Sequence, residues 1–268
     1  MNELRQMSRS DPALLSMIPR TDELAFVRVF RILSQSAPLV LSDGRSCLLV
    51  QGSATDPAWV WTAKDCPDET LQSLLTTILG MREIGHLPGV VSKGRCIRLM
   101  ELAYANLPTR RQRINVYRMD ALIPHTAPGM RVGGMEVSPE TAGALIASLA
   151  AADSGTLSNA MRREMGLAFC QSPDAAAWRA PDGAIASIAK RADVRDRYAD
   201  LHTVVTAEPY RNCGYAKALL SALCREILDA GRTPMLYADR DYAPSNAAYR
   251  AIGFTEAALL YALRFDTV

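Results

Sequence analysis

The sequence VVTAEPYRNCGYA at residues 204–216 decides the fold of this chain. It predicts a strand, a tight polar turn and the start of a long helix. Such a turn directs backbone N–H groups and the positive end of the helix dipole to one spot, where phosphate oxygens bind. Arg211 adds a positive charge beside that spot, and Gly214 lets a ligand approach the backbone where a Cβ would block it. The stretch therefore predicts a pyrophosphate cradle.

The residues after this turn alternate helices with strands. Apolar residues recur at helical spacing over the first segment, and glycine follows each of the two predicted helices as a stop signal. The predicted elements are a helix at 213–230, a short buried strand at 234–238, a short helix at 247–252, and a strand or strand pair at 254–265.

Two motifs in this order and spacing resemble the GNAT-type N-acetyltransferases. The first is R-x-x-G-x-A at residues 211–216, which follows a strand bearing V-x-T at 204–206. The second is N-x-x-Y-x-x-x-G-F at residues 246–254. In that family the first motif wraps the pyrophosphate of acetyl-CoA, and the second lies beside the pantetheine arm and the thiol. The resemblance covers the last third of the chain and extends back to a predicted strand at 184–189.

The resemblance implies an α/β fold of the α+β type, with a mixed, mostly antiparallel sheet flanked by helices. It also implies that acetyl-CoA donates an acetyl group to a primary amine by direct attack, without an acyl-enzyme and without a metal. The acceptor is a small molecule or a protein or peptide amine. The residues implied at the cofactor are Val204, Val205, Thr206, Arg211, Asn212, Cys213, Gly214, Tyr215, Ala216, Lys217 and Asn246.

Two residues of the second motif have two interpretations each. The resemblance places the hydroxyl of Tyr249 at the CoA sulfur as a general acid, whereas a helix tyrosine can also pack its ring on the sheet. The amide of Asn246 is expected to bind pantetheine, and the residue type also suits a helix cap.

The general base is open. His202, at the start of the central strand, has a suitable intrinsic pKa and is the first candidate. Glu208, Asp200 and an ordered water are the alternatives. Backbone N–H groups near Val204 and Val205 are expected, from the resemblance, to polarise the thioester carbonyl as it becomes tetrahedral.

Two further functions also fit the motifs. One is a non-catalytic acyl-CoA-binding module that senses or regulates. The other is an acyltransferase that uses a longer acyl-CoA as donor.

The length of 268 residues allows two modest domains or one large one. A segment rich in proline and glycine predicts a linker at 126–136, between an N-terminal α/β domain at 1–125 and the catalytic domain at 137–268. In the first domain, the α-β-β-α order resembles half of a GNAT-like unit, and one interpretation is a degenerate second copy without a phosphate loop. That order comprises a helix at 22–34, strands at 47–51 and 58–62, and a helix at 68–81.

The remaining segments are less specific. Residues 95–105 fit a helix or a strand, and 113–119 predict a strand. Residues 139–152 and 156–166 predict two helices, a region that helps form the acceptor site in the family.

Composition limits the remaining classes of protein to which the chain can belong. No apolar run approaches the length of a membrane helix, and the first 20 residues lack the apolar core of a signal peptide, so we expect a cytoplasmic protein. The six cysteines form no C-x-x-C pair and the three histidines show no ligand spacing, which disfavours a zinc site. The arginine cluster at 110–118 lacks interleaved aromatics and favours a solvated face over nucleic-acid binding. A homodimer is compatible with the sequence.

Overall fold

Two parallel strand pairs, each joined through a helix, organise this fold. The computed structural model describes residues 4–105, 109–150 and 157–265. Within them, Ala58–Thr62 pairs in parallel with Gly89–Ser92, and Tyr198–Thr206 with Thr233–Asp239. A parallel pair needs a crossover connection, and a helix supplies it in both cases.

The first compact unit contains the described residues up to Val116, together with Ala238–Asp241 and the described residues from Glu256 onward. Its helices are α1 (Pro12–Met17), α2 (Arg20–Glu23), α3 (Val27–Leu33), α4 (Asp68–Glu83) and α5 (Gly94–Ala103). Its strands are β1 (Arg5–Gln6), β2 (Leu39–Ser42), β3 (Cys47–Gln51), β4 (Ala58–Thr62) and β5 (Gly89–Ser92), and β6 (Thr109–Met119) begins in it. Strands β1 to β5 are neighbours in chain order, and all their pairings are antiparallel except β4–β5.

Helix α4 supplies one side of the core of this unit. Leu71, Leu74, Leu75 and Ile78 follow the i, i+3, i+4, i+7 spacing, so one stripe of the helix is apolar. This stripe packs in one cluster with buried side chains of β3, β4 and β5. The continuous burial of β3 and β5 explains why these strands lack alternation of apolar and polar residues.

The second compact unit spans Tyr117–Tyr237 and Tyr242–Thr255. Its strands are β7 (Met130–Gly133), β8 (Ala175–Arg179), β9 (Ile185–Val194), β10 (Tyr198–Thr206) and β11 (Thr233–Asp239). Its helices are α6 (Pro139–Ala150), α7 (Asn159–Cys170), α8 (Tyr215–Asp229) and α9 (Ala243–Ala251). The strand order is β11-β10-β9-β8-β7, and every pair except β10–β11 is antiparallel. The predicted fold class, a mixed and mostly antiparallel sheet with flanking helices, is confirmed.

The boundaries between the compact units do not fall at the predicted linker. Residues 126–136 lie inside the second unit, and β7 forms where a loop was expected. The last strand, β12 (Phe254–Phe265), starts in the second unit and pairs antiparallel with β5 of the first. Strand pairing over such a distance along the chain leaves no local sequence signal. The limits 1–125 and 137–268 stay a prediction about functional domains.

Most predicted elements are confirmed with shifts at their ends. The strands at 47–51 and 58–62 match β3 and β4, and the ambiguous segment at 95–105 is the helix α5. Helix α8 begins at Tyr215 because Gly214 is its N-cap, with φ of 85°. Helix α9 begins at Ala243, earlier than expected, because Pro244 fits the first turn of a helix.

One predicted helix was wrong and one pair is only partly described. The helix at 22–34 is interrupted, because Phe26 leaves the helical region with φ of −113° and ψ of 25° and separates α2 from α3. Helices α6 and α7 occupy the region predicted at 139–152 and 156–166. Residues 151, 152 and 156 lie outside the described residues.

Helices α6 and α7 approach each other backbone to backbone through two glycines. A Cβ on Gly143 of α6 would lie 2.2 Å from the carbonyl oxygen of Arg162, and one on Gly166 of α7 would lie 1.9 Å from that of Pro139. Neither contact is with the end of a flexible side chain, so the helices must separate if a methyl group is added.

We therefore expect Gly166→Ala to lower the melting temperature of the protein. Overpacking costs about 1–3 kcal/mol, which outweighs the roughly 1 kcal/mol that alanine contributes as a better helix former. Gly80→Ala on the exposed side of α4 is the matched control, because nothing lies within 4 Å of its Cβ position, and it should raise the melting temperature. Equal shifts of the same sign in both variants would contradict this account of the α6–α7 contact.

Candidate functional site

Strand β10 carries a bulge where the sequence places the reacting carbonyl. His202 pairs with Lys190 of β9, and Val205 pairs with Ile188, so β10 has one residue more than its partner between these points. Thr203 within the bulge has φ of 56°, a region that β-branched residues rarely enter. A bulge re-aims backbone groups out of the regular ladder. This is the local geometry expected for N–H groups near Val204 and Val205.

Strands β10 and β11 pair only at their start. The register joins Tyr198, Ala199 and Asp200 to Thr233, Pro234 and Met235, and within the described residues it includes no later position. The six remaining residues of β10 therefore run on toward the turn without β11 as a ladder partner. In open sheets of this kind, ligands bind beyond the carboxyl ends of parallel strands.

The turn between β10 and α8 has the backbone shape predicted for a phosphate cradle. After a 3₁₀ turn at Glu208–Tyr210, Asn212 and Gly214 adopt left-handed conformations with φ of 62° and 85°. Gly214 is the N-cap of α8 and makes no side-chain cap hydrogen bond. The N–H groups of the first helical turn therefore point to the space in front of the helix, as in anion-binding turns. Arg211, Asn212 and Cys213 are exposed there.

The turn is tied to the hairpin between β8 and β9. The hydroxyl of Tyr210 donates a hydrogen bond to Asp182, whose other carboxylate oxygen accepts from the N–H of Ala184 at 3.1 Å. These two bonds lower the pKa of Asp182, and the same contact raises the pKa of Tyr210. The ring of Tyr210 also meets that of Tyr215 edge to face, with centroids 5.8 Å apart. The entry and exit of the turn are thus fixed to each other.

His125 lies against this turn, although the sequence motifs gave no indication of it. A Cβ on Gly214 would be 2.6 Å from its Nε2 atom, so the imidazole occupies the space that a side chain would need. The backbone N–H of His125 donates to the hydroxyl of Ser221 on α8, at 3.1 Å. Burial, and secondly the charge of Lys217, lower the pKa of His125. The only signal in the sequence that could have drawn attention to His125 is that the chain has just three histidines.

Tyr249 of α9 is buried in an aromatic cluster. Its ring centroid lies 5.9 Å from that of Tyr117 and 6.1 Å from that of Phe254. Burial raises the pKa of Tyr249 to about 12, against a smaller lowering by its hydrogen bond with Ser245. Both expectations for this residue, a packed ring and a protonated hydroxyl at working pH, are compatible with that position.

Asn246 anchors α9 from inside the protein. Its Oδ1 accepts a hydrogen bond from the Tyr117 hydroxyl at 2.8 Å, and its Nδ2 donates to the carbonyl oxygen of Tyr242 at 2.8 Å. The side chain is only 2% exposed, and the N-cap of α9 is Tyr242. The cap interpretation was therefore wrong, because the helix starts earlier than the sequence suggested. A contact with pantetheine stays a prediction.

The candidate bases lie at three different positions on and after β10. His202 is half-buried at the bulge, with its Nδ1 2.9 Å from the hydroxyl oxygen of Thr203. Asp200 is fully buried on the paired part of the strand, and Glu208 is exposed in the 3₁₀ turn. Of these, His202 is nearest in the chain to the bulge where a carbonyl would be polarised.

A family model matches the part of the chain that carries this geometry. The FR47-like protein family matches residues 179–262, from the end of β8 into β12. That segment contains the bulge, the turn, α8 and the Tyr249 cluster of α9. The fold of the chain is GNAT-like. No curated protein sequence is significantly similar to it.

Solved structures of GNAT proteins share this fold over nearly the whole chain. A tandem GNAT protein from the clavulanic acid biosynthesis pathway is 13% identical, covers 98% of both chains and has a TM-score of 0.59. A GCN5-related N-acetyltransferase from Sphaerobacter thermophilus is 15% identical, covers 98% of this chain and 94% of its own, and has a TM-score of 0.61. A Drosophila protein is 13% identical, covers 98% of both chains and has a TM-score of 0.70. At these identities the likeness shows the fold.

The first unit of the chain repeats the strand–turn–helix order with a different turn. Helix α4 follows β4 after residues 63–67, and its N-cap is Pro67, which has no N–H group. Asp68 and Glu69 occupy the first turn, and Asp65 lies just before it. Carboxylates in this position interact favourably with the helix dipole, but they repel a phosphate. The tandem relative fits such a two-unit arrangement, and a degenerate copy without a phosphate loop agrees with this acidic turn.

Metal-ligand clusters and membrane-spanning helices are both missing from the described part of the chain. It contains no group of three or more His, Cys, Asp or Glu residues that could hold a metal ion. None of the helices described at 4–105, 109–150 and 157–265 is long and apolar enough to cross a membrane.

Proposed function

We propose that this GNAT-type chain binds acetyl-CoA and transfers the acetyl group to a primary amine. The observation that supports this most is the turn before α8. There, the first-turn N–H groups, the left-handed Asn212 and Gly214, and the cationic side chain of Arg211 come together. A pyrophosphate carries two negative charges and several acceptor oxygens, which is the complement of that surface.

The thioester would lie along the end of β10 that lacks β11 as a ladder partner. The neutral amine nitrogen attacks the carbonyl carbon, and the oxygen becomes an oxyanion that accepts hydrogen bonds from N–H groups at the bulge, near Val204 and Val205. The C–S bond then breaks and leaves the amide and the CoA thiolate. Thr203 has a positive φ at the bulge, and dipoles that the fold fixes in this conformation would not need to reorganise during the reaction.

The hydroxyl of Tyr249 would donate a hydrogen bond to the departing sulfur. Its pKa of about 12 keeps the hydroxyl protonated at neutral pH, so that it can donate. A thiol with a pKa of about 8.5 is the stronger acid, so complete proton transfer to a free thiolate is unfavourable. We therefore assign Tyr249 a hydrogen bond that strengthens while negative charge develops on sulfur, with the final proton supplied by solvent or by the attacking amine. Before the attack, the ammonium form of the substrate loses its proton to water or to His202.

The burial of Tyr249 favours one alternative, a non-catalytic acyl-CoA-binding module. Its ring contacts Tyr117 and Phe254, and its hydroxyl already has Ser245 as a partner. In such a module the phosphate turn would be used and the tyrosine would only pack. A longer acyl-CoA as donor remains the second alternative.

We expect the full-length protein to bind acetyl-CoA with a stoichiometry of one per chain in a calorimetric titration. The acidic first turn of α4 should exclude a second cofactor. Gly214→Glu should abolish binding, because it places a side chain and a negative charge in the cradle. Gly231→Glu is the matched control at the other end of α8. Gly231 also has a positive φ, 72°, and nothing lies within 4 Å of its Cβ position. Equal binding by both variants, or two sites per chain, would contradict the assignment.

We expect Tyr249→Phe to lower turnover by about 100-fold or more, the usual cost of removing one hydrogen-bond donor to a developing negative charge, with little change in acetyl-CoA affinity. Thiol release with a panel of primary amines measures turnover, and calorimetry measures affinity. Tyr242→Phe, on a side chain that is 54% exposed, is the control and should leave both unchanged. Unchanged turnover in Tyr249→Phe would favour the packing role and the non-catalytic alternative.

A further inference from the structure

We infer that His125 is a proton-linked contact for the phosphates of the cofactor, so that acetyl-CoA affinity depends on the protonation of this imidazole. The inference rests on the proposed function, because the ligand is the CoA that we assign to the turn before α8. It adds a residue outside both sequence motifs and a form of regulation by pH.

The segment that carries His125 is fixed along its length. We call residues 121–129 the strap. Near its start the N–H of Ile123 donates to the carbonyl oxygen of Ile252 at 3.0 Å, and near its end the carbonyl oxygen of Pro128 accepts from the Trp178 indole at 3.0 Å. Between them His125 donates its N–H to Ser221. These three bonds fix the backbone of the strap at His125, and its imidazole lies against Gly214.

Two glycines let the strap lie directly on its neighbours. A Cβ on Gly253 would be 2.3 Å from the carbonyl oxygen of Ala121, and a Cβ on Gly129 would be 2.0 Å from that of Arg179. Ala127 packs against the small apolar cluster that includes Tyr215, the first residue of α8. The strap is thus held against both α8 and the end of α9, on either side of His125.

The imidazole borders the cradle at Gly214, the smallest residue of the turn. Its Nε2 lies next to Gly214, whose lack of a side chain leaves room for it. A phosphate held by the N–H groups of this turn would be adjacent to that nitrogen. A protonated imidazole beside a phosphate gives a charge-assisted hydrogen bond, whereas a neutral one gives at most an ordinary one.

The charges around His125 oppose its protonation until an anion binds. Burial, and secondly the charge of Lys217 on α8, lowers the pKa of His125, and Ser221 on α8 is uncharged. In the turn, Arg211 is cationic and Cys213 is an exposed thiol. The strap itself has no charged residue. Other ionic side chains near the ends of the strap have partners of their own: Asp120 with Arg118, Arg179 with Glu136, and Arg250 with Tyr117.

The sign of the linkage follows from these charges. In the free protein the pKa of His125 is below its usual value, so the imidazole is neutral at pH 7. Bound phosphates favour the cation and raise that pKa, so binding takes up a proton at pH values between the free and bound pKa. The contribution of His125 to affinity is therefore full below the free pKa and is lost as pH rises through the bound pKa.

Calorimetric titration of acetyl-CoA between about pH 5.5 and 8.5 tests the inference, because a histidine changes charge in this range. The CoA 3′-phosphate also titrates near pH 6, so the wild type is compared with His125→Gln, which keeps an amide donor but no titrating charge. Titration in two buffers of different ionisation enthalpy counts the protons taken up. His86→Gln, on an exposed histidine of the first unit, is the control.

We expect His125→Gln to weaken binding about tenfold at the acidic end and to have little effect at the alkaline end. In between, the wild type should take up more protons per CoA bound than the variant. His125→Lys, charged throughout this range, should retain affinity at alkaline pH. Only variants whose melting temperatures show that they are folded under the titration conditions are compared.

Identical pH profiles for wild type and His125→Gln would overturn the inference and leave the proposed function intact. Tighter binding by His125→Gln at every pH would also overturn it, because the imidazole would then obstruct the cradle. Failure of the wild type to bind acetyl-CoA would instead remove the proposed function, on which the inference rests.

Discussion

The candidate site of this molecule depends on one stretch of left-handed backbone between β10 and α8. Asn212 and Gly214 turn the chain so that a helix begins with uncapped N–H groups, and no other residue type fits the position of Gly214 as well. A side chain there would meet His125, and an ordinary helix cap would fill the space in front of α8. The neighbouring features, from the Tyr210–Asp182 contact to the strap, hold this turn in place.

The two units show how little must change for the same topology to gain or lose an anion site. In both, a strand leads through a short turn into a helix and then to a parallel partner strand. The first unit places Pro67, Asp68 and Glu69 at the start of its helix, and the second places Gly214 there with Arg211 just before it. The sheet and its core specify the topology in both, and the first helical turn specifies which charge is attracted.

The sequence predicted the features that depend on neighbouring residues. The continuous apolar runs of β3 and β4, the periodic stripe of α4 and the glycine turn before α8 all carry local signals. The same holds for the candidate site, since the cradle lies within a few residues of chain. The sequence predicted helix boundaries less well, because Phe26 divides a segment whose apolar spacing is compatible with one helix.

The features that sequence reasoning missed are made by residues far apart in the chain. His125 meets Gly214, Tyr117 binds Asn246, and β12 pairs with β5 of the first unit. None of these contacts leaves a periodic or compositional trace, and the strap has the proline and glycine content of an ordinary linker. Gly129 of the strap and Gly253 beside it serve close backbone contacts instead of flexibility, which only the folded structure reveals.

The central claim is that the turn before α8, and not the corresponding turn before α4, holds the cofactor phosphates. Hydrogen exchange of backbone amides in the full-length protein, with and without saturating CoA, tests it most directly. The account predicts slower exchange at residues 211–217 and in the strap, with unchanged exchange at 63–69. Unchanged exchange at 211–217 on addition of CoA, or equal slowing at 63–69, would contradict it.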